Sequence, residues 1–161
     1  MVRQAVCSQR PIARPRDAER FQIVSKRHGN RLMETEVLLL LAEDEPLIGI
    51  TLQGDLEEAG YRVHHVSTGG EAIAALESGD VKISGVITDI RLGGGPNGWS
   101  VARRAREIDP AVPVVYISGD SAHEHRACGV PDSAMVQKPF APVQIISAIS
   151  TLLNAVPPAQ G

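Results

Sequence analysis

Four stretches of the chain run apolar and then stop on a residue that can do chemistry. Leu38-Leu39-Leu40-Leu41-Ala42 gives way to Glu43-Asp44-Glu45, and Gly85-Val86-Ile87-Thr88 ends on Asp89. Val114-Val115-Tyr116-Ile117 ends on Ser118, and Ser133 to Gln137 is followed by Lys138. Brought together, these are carboxylates, one hydroxyl and one ammonium. Carboxylates gathered in one place repel each other unless a cation sits among them. A hard divalent ion such as Mg²⁺, held by carboxylates, waters and phosphate oxygens, is the natural occupant. It takes charge off Asp89 and so lets that carboxylate attack a phosphoryl group as a nucleophile. The phosphorylated side chain then needs donors for its new anionic oxygens. Lys138 offers a charged one and Ser118 a neutral one.

That chemistry requires elements that deliver all four ends to one place. The continuous run Val37–Ala42 reads as a strand buried on both faces, and Pro46 suits the first turn of a helix. Ile48, Leu52, Leu56 and Ala59 follow at helical spacing until Gly60. Tyr61–Val66 reads as a second strand, Thr68–Ser78 as a helix and Ile83–Asp89 as the third strand, which empties into Gly93-Gly94-Gly95-Pro96-Asn97-Gly98. A helix over Trp99–Ile108, a strand over Val114–Ser118, a helix over Ser121–Cys128, a strand over Ser133–Gln137 and a helix over Pro142–Asn154 complete the pattern. Strands alternating with helices, joined by short right-handed crossovers, make a doubly wound parallel sheet covered on both faces. In such a sheet every C-terminal strand end lies on one edge, where ligands bind.

Composition sets the bounds. The chain has 161 residues, 43% hydrophobic but only 3% aromatic, so one aliphatic core is expected. No apolar run reaches the ~20 residues that a membrane span needs. The arginine-rich N-terminus lacks the apolar block of a secretion signal. Cys7 and Cys128 form no disulfide framework, which fits a reducing, cytoplasmic setting. Of the 16 basic and 19 acidic residues, eight and two lie up to Leu32, leaving eight and seventeen for the rest. Residues 1–34 therefore read as a disordered basic arm ahead of an acidic body over 35–155, with a short tail over 156–161. The arm has two readings: contact with nucleic acid or an acidic partner, or translation from an upstream start with Met33 the true beginning. Nucleic acid is not the favoured partner.

The four strand ends, in this order, resemble the receiver domains of two-component response regulators. Leu-Leu-Leu-Ala-Glu43-Asp44-Glu45-Pro46 looks like that family's acidic start and Val-Ile-Thr-Asp89-Ile-Arg-Leu like its phosphoacceptor strand. Val-Val-Tyr-Ile-Ser118-Gly is similar to its hydroxyl strand and Lys138-Pro139-Phe140 to its lysine signature. The resemblance implies a flavodoxin-like strand order of 2-1-3-4-5. It implies that Asp89 takes a phosphoryl group from a histidine kinase or phosphotransfer protein. Mg²⁺ would be held by Glu43, Asp44, Asp89 and a backbone oxygen of Arg91, with Ser118 and Lys138 on the phosphoryl group and a cis Lys138–Pro139 bond. The expected protein is a stand-alone receiver that signals to a downstream protein through contacts of its last helix, fifth strand and fourth helix, with a homodimer left open.

Three departures from the family pattern stand out. Glu43 replaces the commoner aspartate, the loop after Asp89 is one residue longer, and Met135 stands where Tyr or Phe usually precedes the lysine by three. Two rival readings follow from the same residues. One is a degenerate receiver acting only as a binding module. The other is an aspartate-nucleophile phosphohydrolase, against which Arg91 occupies the place of the second acid. His123, His125 and Cys128 read as a solvent-facing helix rather than a metal site, since no fourth ligand is evident. The glycine run lacks the Gly-Lys-Ser/Thr of a phosphate-cradling loop. Trp99 should pack at the end of that loop.

Overall fold

A computed structural model describes residues 36–156. The basic arm, the start at Met33, Cys7 and all but Val156 of the tail lie outside the described residues. The elements are β1 (Leu38–Ala42), α1 (Pro46–Glu58), β2 (Arg62–Val66), α2 (Gly69–Ser78), β3 (Gly85–Asp89), α3 (Gly98–Ile108), β4 (Val114–Ser118), α4 (His125–Cys128), β5 (Ala134–Gln137) and α5 (Pro142–Ala155). All five strands are parallel, in the order β2-β1-β3-β4-β5. This is the expected 2-1-3-4-5.

Side chains alternate across the sheet, so each apolar run feeds two cores. Leu39, Leu41, Ile87, Val115 and Ile117 pack against Leu52 and Leu56 of α1 and Ile145 and Ile149 of α5. On the other face, Leu40, Ala42, Val86, Val114 and Tyr116 meet Ala72 of α2 and Trp99, Val101, Ala102 and Ala105 of α3. Each fully buried aliphatic side chain stabilises the fold by about 1.5–3 kcal/mol. Burial on both faces is why the three inner strands are almost wholly apolar before their ends, and the hydroxyls of Thr88 and Tyr116 within them are hydrogen-bonded.

Local signals end the helices. Thr68 and Glu71 form a reciprocal cap on α2, and Gly79 closes it in the left-handed conformation at φ 66°. Pro46 and Pro142 begin α1 and α5. Asn97 caps α3 by accepting from the Ser100 amide. Glycine is required at the next position: a Cβ on Gly98 would run into the Asp89 carbonyl and the backbone of Ile90. That approach sets α3 directly on the end of β3.

The helix expected over Ser121–Cys128 is shorter than its sequence suggested. Ser121–Glu124 is a 3₁₀ turn and only His125–Cys128 is α-helical. Ser-Ala-His-Glu-His-Arg-Ala-Cys offers no continuous apolar stripe, and none of α4 is buried. Ser121 is buried instead, because its amide is tied to the Ser118 hydroxyl at 2.7 Å.

Candidate functional site

The C-terminal ends of β1, β3 and β4 and the turn after β5 meet at one edge. Asp89 closes β3 and is 6% exposed. Its Oδ1 accepts from the Arg91 amide at 2.8 Å, while Oδ2 accepts from Lys138 Nζ at 2.7 Å. Thr88, also buried, donates its hydroxyl to the Asp89 carbonyl at 2.9 Å. Both carboxylate oxygens are therefore held, one by backbone and one by a cation.

Lys138 reaches this place because its amide bonds the Ser118 carbonyl at 2.7 Å, carrying the β4–β5 ladder one residue past the strand. The Lys138–Pro139 bond is cis, as the resemblance implied. Its ammonium touches three carboxylates: Asp89 at 2.7 Å, Glu45 at 3.0 Å and Glu43 at 3.3 Å. Burial alone would lower the lysine pKa. Hydrogen bonds to Asp89 and Glu45, with the charges of Asp89 and Glu43, outweigh it and hold the group well above its usual value.

Glu43 is the buried acid of the set, with no exposed surface. Its Oε1 accepts from the Glu45 amide at 3.1 Å, and Oε2 lies 3.3 Å from the Lys138 ammonium without a hydrogen bond aimed at it. Desolvation pushes its pKa up. The Glu45 amide counters this, the Asp89 charge adds to it and Lys138 opposes it. A buried carboxylate oxygen whose nearest donor is a misaligned ammonium shared with two other acids is under-satisfied, which is costly. Its position beside other acids suits a hard cation, which accepts oxygen ligands without needing donors.

Oxygens of Glu43, Glu45 and Asp89 lie within 4.8 Å of one another. The third carboxylate that the structure places in this group is Glu45. Asp44, a metal ligand by the family resemblance, turns to the β3–α3 loop and accepts from the Gly93 amide at 3.2 Å. Neighbouring residues of a turn point in different directions, and Glu45 meets Lys138 at 3.0 Å from the exposed side; spacing alone does not carry that. The Lys138 ammonium was the available signal, since it needs partners beyond Asp89. Arg91 is exposed and meets Asp89 through its amide.

Ser118 closes β4 and is 1% exposed. Its Oγ accepts from the Ser121 amide, which leaves the hydroxyl proton free to be donated. The expected packing of Trp99 holds: it is 5% exposed and lies 4.6 Å from the Tyr116 ring. His125 does not join His123 and Cys128 as a ligand. It stacks on Trp99 and bonds Ser133 Oγ at 2.9 Å. Among the described residues, no helix is long and apolar enough to cross a membrane.

The comparisons agree with this geometry. The family model for the response regulator receiver domain matches residues 39–150. A crystal structure of a response regulator receiver protein from Sinorhizobium medicae WSM419 is 49% identical with a TM-score of 0.74, covering 76% of this chain and 98% of that one. The response regulator receiver protein CpdR of Brucella abortus is 34% identical over 121 residues, 73% of this chain and 97% of CpdR. The transcriptional regulatory protein CusR of Escherichia coli is 32% identical over 118 residues, which is 72% of this chain and 51% of CusR. The chain thus spans about half the length of the transcriptional regulators it matches. With a family model over most of its described residues and the four strand ends meeting at one acidic edge, the chain belongs to the response regulator receiver domain family.

Proposed function

We propose that the chain accepts a phosphoryl group on Asp89 from a phosphohistidine of a sensor histidine kinase or a phosphotransfer protein, and passes the signal on through protein contacts. The observation that carries this reading is the Lys138 ammonium, 2.7 Å from Asp89 Oδ2 and shared with Glu43 and Glu45. An oxygen of Asp89 forms the new P–O bond, the P–N bond of phosphohistidine breaks, and the imidazole leaves with the bonding pair. Before that step the Arg91 amide fixes the carboxylate from one side. After it, Lys138 pairs with a phosphoryl oxygen and Ser118 donates its hydroxyl to another.

Glu43, Glu45 and Asp89 would hold Mg²⁺, with Asp44 and the Arg91 backbone oxygen completing the set that the resemblance implies. When bound, the ion screens the negative charge between the carboxylate and the incoming phosphoryl group. The receiver is taken to span residues 35–155 and to work in the cytoplasm, with its downstream protein meeting the face made by α4, β5 and α5. Phosphorylation biases a two-state equilibrium of that face.

Incubation with a small phosphodonor and Mg²⁺, followed by intact mass measurement, tests the reading. The wild-type chain should gain one phosphoryl group and Asp89→Asn none. No gain in the wild type, or an equal gain in Asp89→Asn, overturns it.

A further inference from the structure

We propose that His65 is a positioning residue for the acidic loop that follows β1, and that residue 49 is glycine to make room for it. His65 lies on the edge strand β2, in register with Leu41. Its Nε2 sits 3.1 Å from the Glu43 carbonyl oxygen. A carbonyl only accepts, so Nε2 carries the hydrogen and donates. The Glu43 amide in turn donates to the Val66 carbonyl at 3.1 Å. Both backbone polar groups of Glu43 are therefore tied to β2, one of them by a side chain. The residue whose carboxylate is buried beside Lys138 has its main chain pinned from the neighbouring strand.

The second observation lies on α1. Gly49 is buried in the first turns of that helix, where glycine is a poor choice. A Cβ there would overlap Cε1 and Nε2 of the His65 ring. The ring thus occupies the notch that the missing side chain leaves, with its donor nitrogen turned to Glu43. Edge strand, helix and acidic loop meet through one imidazole. Loss of an outer group that orients ligands typically weakens cation binding by about 10–100-fold.

This inference rests on the cation-site reading above, and its test separates the two. Mg²⁺ alone is titrated into the full chain at fixed pH by calorimetry, with thermal melting as a check on folding. His65→Ala should raise the Mg²⁺ dissociation constant about tenfold or more. His65→Gln, whose amide nitrogen can take the place of Nε2, should restore most of the affinity. Gly49→Ala should weaken binding in the wild type by displacing the ring, yet change nothing further in His65→Ala. If His65→Ala does not fold, weak binding by Gly49→Ala and near-normal binding by His65→Gln decide in favour. Wild-type affinity in His65→Ala, or an additive effect of Gly49→Ala, overturns the proposal while leaving the cation site standing. A wild-type chain that does not respond to Mg²⁺ removes both.

Discussion

Met135 of β5 stands beside Tyr116 of β4 in the sheet, and the tyrosine rather than the methionine supplies the aromatic ring of that face. Tyr116 is fully buried, and its hydroxyl accepts from the Val130 amide at 3.1 Å. Its ring meets Trp99 at 4.6 Å and His125 at 5.5 Å. One side chain, two residues before Ser118, thus ties the start of α3, the short α4 and the approach to β5 together.

Tyr116→Phe should cost about 1–3 kcal/mol, because it leaves the buried Val130 amide without its acceptor. Urea unfolding measures this. Emission from Trp99 should stay as in the wild type, since the ring remains, whereas Tyr116→Leu should alter it. Equal stability of Tyr116→Phe and the wild type would mean that water takes the acceptor's place.

Lys138 occupies the same carboxylates that a cation would use, so the two should compete. Lys138→Ala should melt lower than the wild type without metal, because three acids are left facing one another. Added Mg²⁺ should then raise its melting temperature by more than it raises that of the wild type. An equal or smaller rise would show that ammonium and cation do not share the site.

Glu43 gives a pH dependence of known sign. Its folded pKa lies above the usual 4.5, chiefly through burial, so the folded state binds the proton more tightly than the unfolded chain. The ionised group therefore disfavours the metal-free fold. That penalty is absent below about 4.5, grows as pH rises toward the raised value, and is complete above it. Glu43→Gln should accordingly melt higher than the wild type at neutral pH, and the gap should close as pH falls through 4.5. A gap that widens in acid would show that Lys138 outweighs burial.

Ser118→Ala should lose about 1–3 kcal/mol through the unpaired Ser121 amide, which sits in a buried place. Ser118→Thr keeps the acceptor and should recover most of this in chemical denaturation. Failure of threonine to recover it would assign the loss to packing instead.

Much of this architecture is legible in the residues themselves, for a physical reason. A strand covered on both faces must be largely apolar along its length, so β1, β3 and β4 announce themselves, and the residues on which those runs stop mark the ligand edge. Asp89 and Ser118 follow from that rule, while Lys138 lies one residue past the partly buried β5. The nearness of Glu45 to Lys138 and Asp89 does not follow from it. Which acids of a three-residue turn meet Lys138 depends on the assembled fold, since the ammonium reaches Glu45 across 93 residues of chain. The seat of His65 against Gly49 is hidden for the same reason: it exists only once α1 lies on β2. The shortness of α4 reflects the lack of an apolar stripe, a weakness visible in its residues but overridden by the expected alternation of strands and helices.

Lys138 meets Asp89 across 49 residues, Glu45 across 93 and Glu43 across 95. None of these pairs can form from a local segment; the three together need β1, β3, β4 and β5 to be in place at once. A partly assembled chain therefore has scattered acids and no pocket. A cation that prefers the pocket then recognises only the finished sheet, and its stabilisation falls on the escape from the native state rather than on the search for it.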